Sequence, residues 1–392
     1  VEMTADEGRI TVSASGRTSD LNDATTAERS IAGPDDWLGQ WGRYGFTNGP
    51  GGTTGDVPWS NITISPQFPS TAQVIAELYP QSGGDELDGV FAMDPYVLEA
   101  LLGMTGPVSV DSTDTQLDQR NVLQFLLVDQ YEIDDSPTRV DLLDEVSRAT
   151  IDRVLGGELP NPTVVARELG PVAAEGRLAG WARDPAEQEL FDRVKLSAAL
   201  PRLDDGDDGY AVVLNNAGAN KLDVYLGRDI AYDATVDPAT GVVEATLTVD
   251  LTNEVIVDGL PDSVTGNYTG DEIGTNRTLL TLYSPLNFGD ATVSAGGDPE
   301  QSVAFDAGTE AGWNTYSTFL AVAPGETVTA TVELSGTIAP TGGHGLAVRP
   351  MPMVLPEHHR IDVRATDGRQ LVAFDDVVER PERFRVAGDS DS

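Results

Sequence analysis

Residues 241–251 read Gly-Val-Val-Glu-Ala-Thr-Leu-Thr-Val-Asp-Leu. Val243, Ala245, Leu247, Val249 and Leu251 alternate strictly with polar side chains. A period of two sends successive side chains to opposite faces, so the stretch predicts a strand with one buried and one wetted face. Val328, Ala330, Val332 and Leu334 repeat the pattern opposite Thr327, Thr329, Thr331 and Glu333. Residues 278–283, 315–322, 346–354 and 360–364 read as further strands. Pro238-Ala-Thr-Gly, Pro261-Asp and Pro324-Gly punctuate them as turns. About seven such strands predict an all-β sandwich of immunoglobulin-like architecture over residues 222–386. Residues 387–392 read as a polar tail.

Residues 1–221 have another character. Ile10, Val12 and Ala14 alternate as a strand, and 33–58, rich in Gly, Pro, Asp and Trp, reads as a long loop. Four times a capping residue precedes proline: Asp94-Pro95, Ser136-Pro137, Asn161-Pro162 and Asp184-Pro185. The cap accepts an orphan amide, and proline suits the first helical position. Helices are therefore predicted at 95–104, 137–155, 162–175 and 185–194, with another at 118–131. Strands are predicted at 89–93, 108–110, 178–181 and 210–214. This interleaving predicts an α/β or α+β domain over 1–221.

The 392 residues carry 24 Lys and Arg against 64 Asp and Glu, a net charge of −40. That excludes nucleic acid and anionic lipid surfaces as partners, because phosphates would be repelled. The bias fits high-GC codon usage, and it also fits salt adaptation. With no cysteine, disulfides and thiol chemistry are excluded. No apolar run is long enough to span a bilayer. The sequons at Asn61, Asn267 and Asn276 lend some support to an exported protein.

Chemistry-bearing patterns are few. No phosphate-binding glycine loop and no nucleophile elbow occur. His358 and His359 are adjacent in a strand and so face opposite ways. The run Asp204-Asp-Gly-Asp-Asp lacks the twelfth-position Glu of a calcium loop and reads as a solvated acidic loop. Trp37, Trp41 and Trp59 either stack on sugars or seal the long loop onto a core. Gly16-Arg-Thr-Ser-Asp-Leu-Asn-Asp presents Arg17 with Asp20 and Asp23. Arg can grip a phosphate, and the two carboxylates can hold a divalent cation beside it. An ordinary polar turn is the alternative.

Several motifs carry a family resemblance. They are Asn61-Ile-Thr-Ile-Ser-Pro-Gln-Phe-Pro, Asp88-Gly-Val-Phe-Ala-Met-Asp-Pro, Leu101-Leu-Gly-Met-Thr-Gly-Pro-Val-Ser-Val, Asn121-Val-Leu-Gln-Phe-Leu, residues 181–188, and Asn215-Asn-Ala-Gly-Ala-Asn-Lys-Leu-Asp-Val-Tyr. Together they resemble an uncharacterised envelope family of high-GC, actinobacterial-type bacteria, a domain of unknown function. The resemblance covers about residues 8–355. It implies an extracellular, envelope-facing protein, anchored in the membrane only through a segment upstream of Val1, with further strands also preceding Val1.

The α/β half is in turn distantly similar to the LytR-CpsA-Psr family, which transfers glycans from a polyprenyl-diphosphate carrier to the cell wall. The similarity implies that Arg17 grips the diphosphate, that Asp20 or Asp23 holds Mg²⁺, and that Arg139 is a second cation of the site. Two further family arginines fall at Leu127 and Asp129, and an Arg-Gln pair falls at Leu142 and Leu143. Leu and Asp cannot stabilise a diphosphate's charge. The expectation is therefore an envelope protein that binds a glycan or polyprenyl-linked glycolipid, or is structural at the surface, without robust catalysis. A Mg²⁺-dependent glycan phosphotransferase and a protein–protein interaction module are the alternatives.

Overall fold

A computed structural model describes residues 1–6, 9–25, 27–45, 54–55, 59–110, 116–133, 136–156, 161–204, 206–266, 270–339 and 344–386. The chain divides into two units, Val1–Ala199 and Leu200–Ser392. The division falls ahead of the 221/222 boundary expected from sequence, because the strand around 210–214 pairs with strands of the second unit.

The first unit opens with a hairpin of β1 (Glu2–Asp6) and β2 (Arg9–Ala14). Then come α1 (Thr18–Asp23), β3 (Arg29–Ser30), α2 (Asp35–Gly45), β4 (Thr54–Gly55) and α3 (Phe68–Gln81). β5 (Gly89–Met93), α4 (Pro95–Thr105), β6 (Val108–Ser109), β7 (Gln116–Leu117) and α5 (Val122–Leu127) follow. α6 (Ser136–Gly156), α7 (Pro162–Ala174), β8 (Leu178–Ala182) and α8 (Pro185–Arg193) complete it. The helices predicted at Pro95, Pro137, Pro162 and Pro185 are all present. The helix read at 118–131 is shorter, ending at Leu127 before a 3-10 turn at Asp129–Glu132. The loop read over 33–58 contains α2. Its Trp37 and Trp41 stand four residues apart on one face and are fully buried, a helical spacing masked by Gly39 and Gly42.

Among the described residues, apolar clusters form around α3 and on both flanks of α4. α3 packs Ala72 and Ala76 against Trp181 of β8 and Val90 of β5. α4 sets Val97 and Leu101 against Val172 of α7. Its other flank sets Leu102 among Val122, Leu126 and Val146. α4 is fixed at both ends. Asp94 accepts from the Tyr96 and Val97 amides at 2.9 and 3.3 Å, and Gly106, at φ +84°, closes the last turn. Asp94 also takes Arg177 Nη1 at 2.7 Å, and the guanidinium lies 3.8 Å over the Tyr96 ring.

The second unit is nearly all strand: β9 (Asp207–Asn216), β10 (Leu226–Val236), β11 (Val242–Asn253), a short α9 (Asp262–Thr265), β12 (Asn276–Ser284) and β13 (Asn287–Ala295). There follow β14 (Gln301–Ser302), β15 (Asp306–Glu310), β16 (Trp313–Val322), β17 (Thr327–Thr337) and β18 (His344–Arg349). β19 (Glu357–Ala365), β20 (Gln370–Val377) and β21 (Glu382–Val386) end the described chain. Among the described residues, one sheet runs β14-β13-β17-β11-β10-β19-β20 and the other β15-β16-β12-β9-β18-β21. Both contribute to one apolar core, in which Val243, Ala245, Leu247, Val249 and Leu251 meet Tyr210, Val212, Leu280 and Leu282. The alternation read from the sequence is therefore the core face of β11. The two sheets hold thirteen strands rather than about seven, and two pairings are parallel, β10 with β19 and β9 with β18.

Replacing Asp94 removes both the α4 cap and the Arg177 contact. Asp94→Ala is expected to cost about 1–2 kcal/mol, read as a lower urea midpoint with an unchanged m-value. Asp94→Asn keeps the cap acceptor and is expected to lose less.

Candidate functional site

Arg17 and Asp20 lie together at the start of α1. Asp20 accepts the Arg17 amide at 2.9 Å, and its other oxygen is 3.6 Å from Arg17 Nε. Both side chains are more than half exposed, so water screens the pair and its contribution is small. Asp23 ends the same helix and is exposed. Among the described residues no group of three His, Asp or Glu side chains is disposed to hold a metal ion. Asp20 is paired with Arg17. The Arg139 position lies in α6; its side chain lies outside the described residues. Leu127 ends α5, and Asp129 accepts from Gln124 at 2.9 Å.

Other sequence candidates resolve as structure. Trp37, Trp41 and Trp59 are buried, and Trp59 Nε1 donates to Ser82 Oγ at 3.0 Å. These rings seal the segment onto a core and are not open to a sugar. Asn276 is fully buried, donating to Asp223 at 2.9 Å, and so is no acceptor for glycosylation in the folded chain. Asn61 is exposed; Asn267 lies outside the described residues, as do Asp205 and 387–392. The acidic run is not a solvated loop throughout. Asp204 takes Arg383 and Arg385 at 2.7 and 2.6 Å, and Asp207 and Asp208 are buried at the start of β9.

A buried polar network spans the two sheets at this end of the sandwich. Asp208 and Tyr210 of β9 face inward two residues apart. The Tyr232 hydroxyl of β10 donates to Asp208, and the Tyr210 and Tyr232 rings stack at 4.9 Å. Tyr210 Oη is 2.9 Å from His359 Nδ1, and His359 Nε2 is 2.8 Å from Glu357 Oε1. Glu357 pairs with Arg228, whose second nitrogen donates to the Met351 and Leu355 carbonyls at 3.1 and 3.3 Å. The Arg228–Glu357 pair thus clamps the 350–356 crossing from β18 to β19. His358, one residue on, is half-exposed between Asp229 and Asp375, on the opposite face as its strand position requires.

The carboxyls in this network differ in charge compensation. Glu357 has a guanidinium against it. The contacts of Asp208 are the Tyr232 hydroxyl and the Gly209 amide at 2.6 Å. Burial pushes the Asp208 carboxyl up to about 7, against the lowering effect of those hydrogen bonds. Burial and the nearby carboxylates push Tyr210 and Tyr232 well above their usual range. His344, at the start of β18, is pushed down to about 4 by burial.

The outer face of the seven-stranded sheet carries a shallow polar groove of about 400 Å³. Asp233 and Thr235 of β10, Glu244 and Thr246 of β11, Glu333 of β17, and Asp362 and Arg364 of β19 line it. Thr246 Oγ1 lies 3.2 Å from both Glu333 oxygens. Arg364 grips Asp362 with two bonds of 2.8 and 2.9 Å. Its hydrogen bonds and that of Gln370 hold the Asp362 carboxyl below the usual range. Ionised carboxylates accept from hydroxyls, and Arg364 keeps N–H donors beyond the two it gives Asp362, so the groove suits a ligand rich in vicinal hydroxyls. No sequence argument singled these residues out. Their signal was the polar half of the alternating strands.

The Asp208 shift makes stability depend on pH. The folded carboxyl keeps its proton between about pH 4 and 7, where the unfolded one loses it, so its contribution falls as pH rises through that window and levels off above 7. His344 acts in the opposite sense from about pH 4 to 6.5. The clean readout is therefore the difference between wild type and Asp208→Asn in urea unfolding. Relative to the variant, the wild type is expected to lose on the order of 3–4 kcal/mol from pH 4 to pH 8. A constant difference contradicts the assignment.

Residues 1–131 match the family model described as "Protein of unknown function (DUF4012)". No curated protein matches the chain. Among solved structures, the chain is similar to a Legionella pneumophila protein provisionally described as nutrient-binding, at 11% identity and a TM-score of 0.25, covering 40% of this chain and 54% of that one. It is also similar to an M1 zinc metallopeptidase mutant of Deinococcus radiodurans, at 12% identity and a TM-score of 0.19, covering 36% of this chain and 32% of that one. Neither likeness bears on fold or activity. What the comparisons establish is that the first third of the chain matches an uncharacterised domain family.

Proposed function

We propose that this chain is an exported cell-envelope protein that binds a glycan, free or polyprenyl-linked, and that the groove on the seven-stranded sheet receives the sugar. The groove carries the proposal: four carboxylates, two threonine hydroxyls and one guanidinium converge on an open sheet face. Hydroxyl-rich chains are recognised by such planar donors and acceptors on a rigid element. The high negative charge disfavours anionic polymers and leaves neutral or cationic glycans. Envelope placement, upstream anchoring and the LytR-CpsA-Psr-like affinity of the first unit come from the sequence resemblance, the immunoglobulin-like affinity of the second comes from its alternating strands, and all form part of the same reading.

Isothermal titration of the full chain with neutral cell-wall oligosaccharides tests it. Saturable binding is expected, weakened roughly tenfold, about 1.4 kcal/mol, in Thr246→Ala/Glu333→Ala and unchanged in Arg17→Ala. Loss of binding in Arg17→Ala with the groove variant unaffected moves the site to the first unit and overturns the proposal.

A further inference from the structure

Among the described residues, β5 pairs with β8 on one side only. The bonding parity of that ladder is fixed by three contacts. The Gly180 amide donates away from β5, to the Leu196 carbonyl at 2.7 Å, and the Ala182 amide donates to Gln188 Oε1 at 3.0 Å. The Arg183 amide, by contrast, donates to the Asp88 carbonyl at 2.7 Å. Gly180 is opposite Phe91 and Ala182 opposite Gly89. Antiparallel pairs alternate between bonded and non-bonded. Gly89, Phe91 and Met93 therefore turn their amides and carbonyls to the outer edge, where no described residue meets them.

Sheet edges are ordinarily blunted by charge, proline or a bulge. Gly89-Val-Phe-Ala-Met has no charge and no proline, and its register with β8 has no shift. One face of the strand is covered at Val90, which packs with Trp181 and α3, while Ala92 on the same face is exposed. The other is open. Phe91 is 49% exposed and Met93 42%, and the Phe91 ring leans on Phe191 of α8 at 5.7 Å. Leu190 and Val194, beside Phe191 in sequence, are also exposed. Unpaired backbone and uncovered apolar side chains thus coincide on one short strand.

We propose that the β5 edge is a docking site for an extended peptide segment of a partner protein, one that alternates apolar residues and carries Lys or Arg. Backbone bonds to Gly89, Phe91 and Met93 would extend the β5–β8 sheet, and alternate apolar side chains would cover Phe91 and Met93. Charge selects the occupant. Asp85, Glu86 and Asp88 stand exposed just ahead of the strand, and the whole chain carries −40. A second copy would bring the same charge to the edge; a basic segment would neutralise it.

The test uses the full chain and a fluorescein-labelled probe, Lys-Val-Thr-Val-Lys-Val-Thr-Val-Lys, with an acidic control in which Glu replaces each Lys. Anisotropy is expected to show saturable binding of the basic probe, weakening with salt, and at least roughly tenfold weaker binding of the acidic one. Hydrogen exchange with the basic probe bound is expected to slow at Gly89, Phe91 and Met93. Phe91→Pro deletes one outward amide while leaving the β8 ladder intact, and is expected to lose binding at least roughly tenfold. Phe91→Lys, which adds a like charge to the probe, is expected to do the same should the proline variant fold poorly. Equal binding by both folded variants overturns the proposal, as does slowed exchange confined to another strand. Concentration-dependent dimerisation with protection at β5 and no peptide present also overturns it, in favour of self-association. Groove oligosaccharides are not expected to compete with the probe, so this result stands or falls apart from the glycan reading.

Discussion

A buried guanidinium must meet a buried carboxylate, and in this chain the meeting of Arg228 and Glu357 sets how the second unit closes. Both side chains are almost wholly excluded from water, where an unpaired charge is costly. They are register partners in the parallel β10–β19 pair. Arg228 also holds two carbonyls of the crossing between the sheets. A parallel ladder is slightly less stable per residue than an antiparallel one, and an ion pair at its first rung reinforces the register that the buried faces specify.

The register so fixed reaches the opposite face. With Arg228 beside Glu357, Asp233 falls beside Asp362 and Thr235 beside Arg364. These residues form one side of the polar groove. A slip of one residue would turn Asp362 and Arg364 toward the core and Ile361 and Val363 outward. The core network and the surface groove are therefore two faces of one alignment, linking buried electrostatics to the proposed binding function.

Much of this was legible in the chain. Strict alternation identified β11 and β17, and the Asp94, Asn161 and Asp184 caps identified three helix starts whose bonds the structure shows. Opposite orientations for His358 and His359 followed from strand geometry. What was hidden has physical causes. α2 lay in a Gly- and Trp-rich stretch whose helical spacing rests on two residues. The acidic run looked solvated because sequence does not reveal that Asp208 meets a tyrosine from another sheet. Strand pairing between distant segments is likewise silent, so the number of strands and the two parallel pairings were not foreseen. The Arg17 cluster was read for its chemistry, whereas its exposure and its internal pairing are set by where α1 begins.

A double-mutant cycle on Arg228 and Glu357, followed by urea unfolding, tests the account most directly. Arg228→Met and Glu357→Leu are each expected to cost about 3–5 kcal/mol, because each leaves a buried charge alone. The double variant, with no charge left to compensate, is expected to recover most of that loss. Losses that simply add would show that the two side chains act independently, and the alignment would then have to be held by something else.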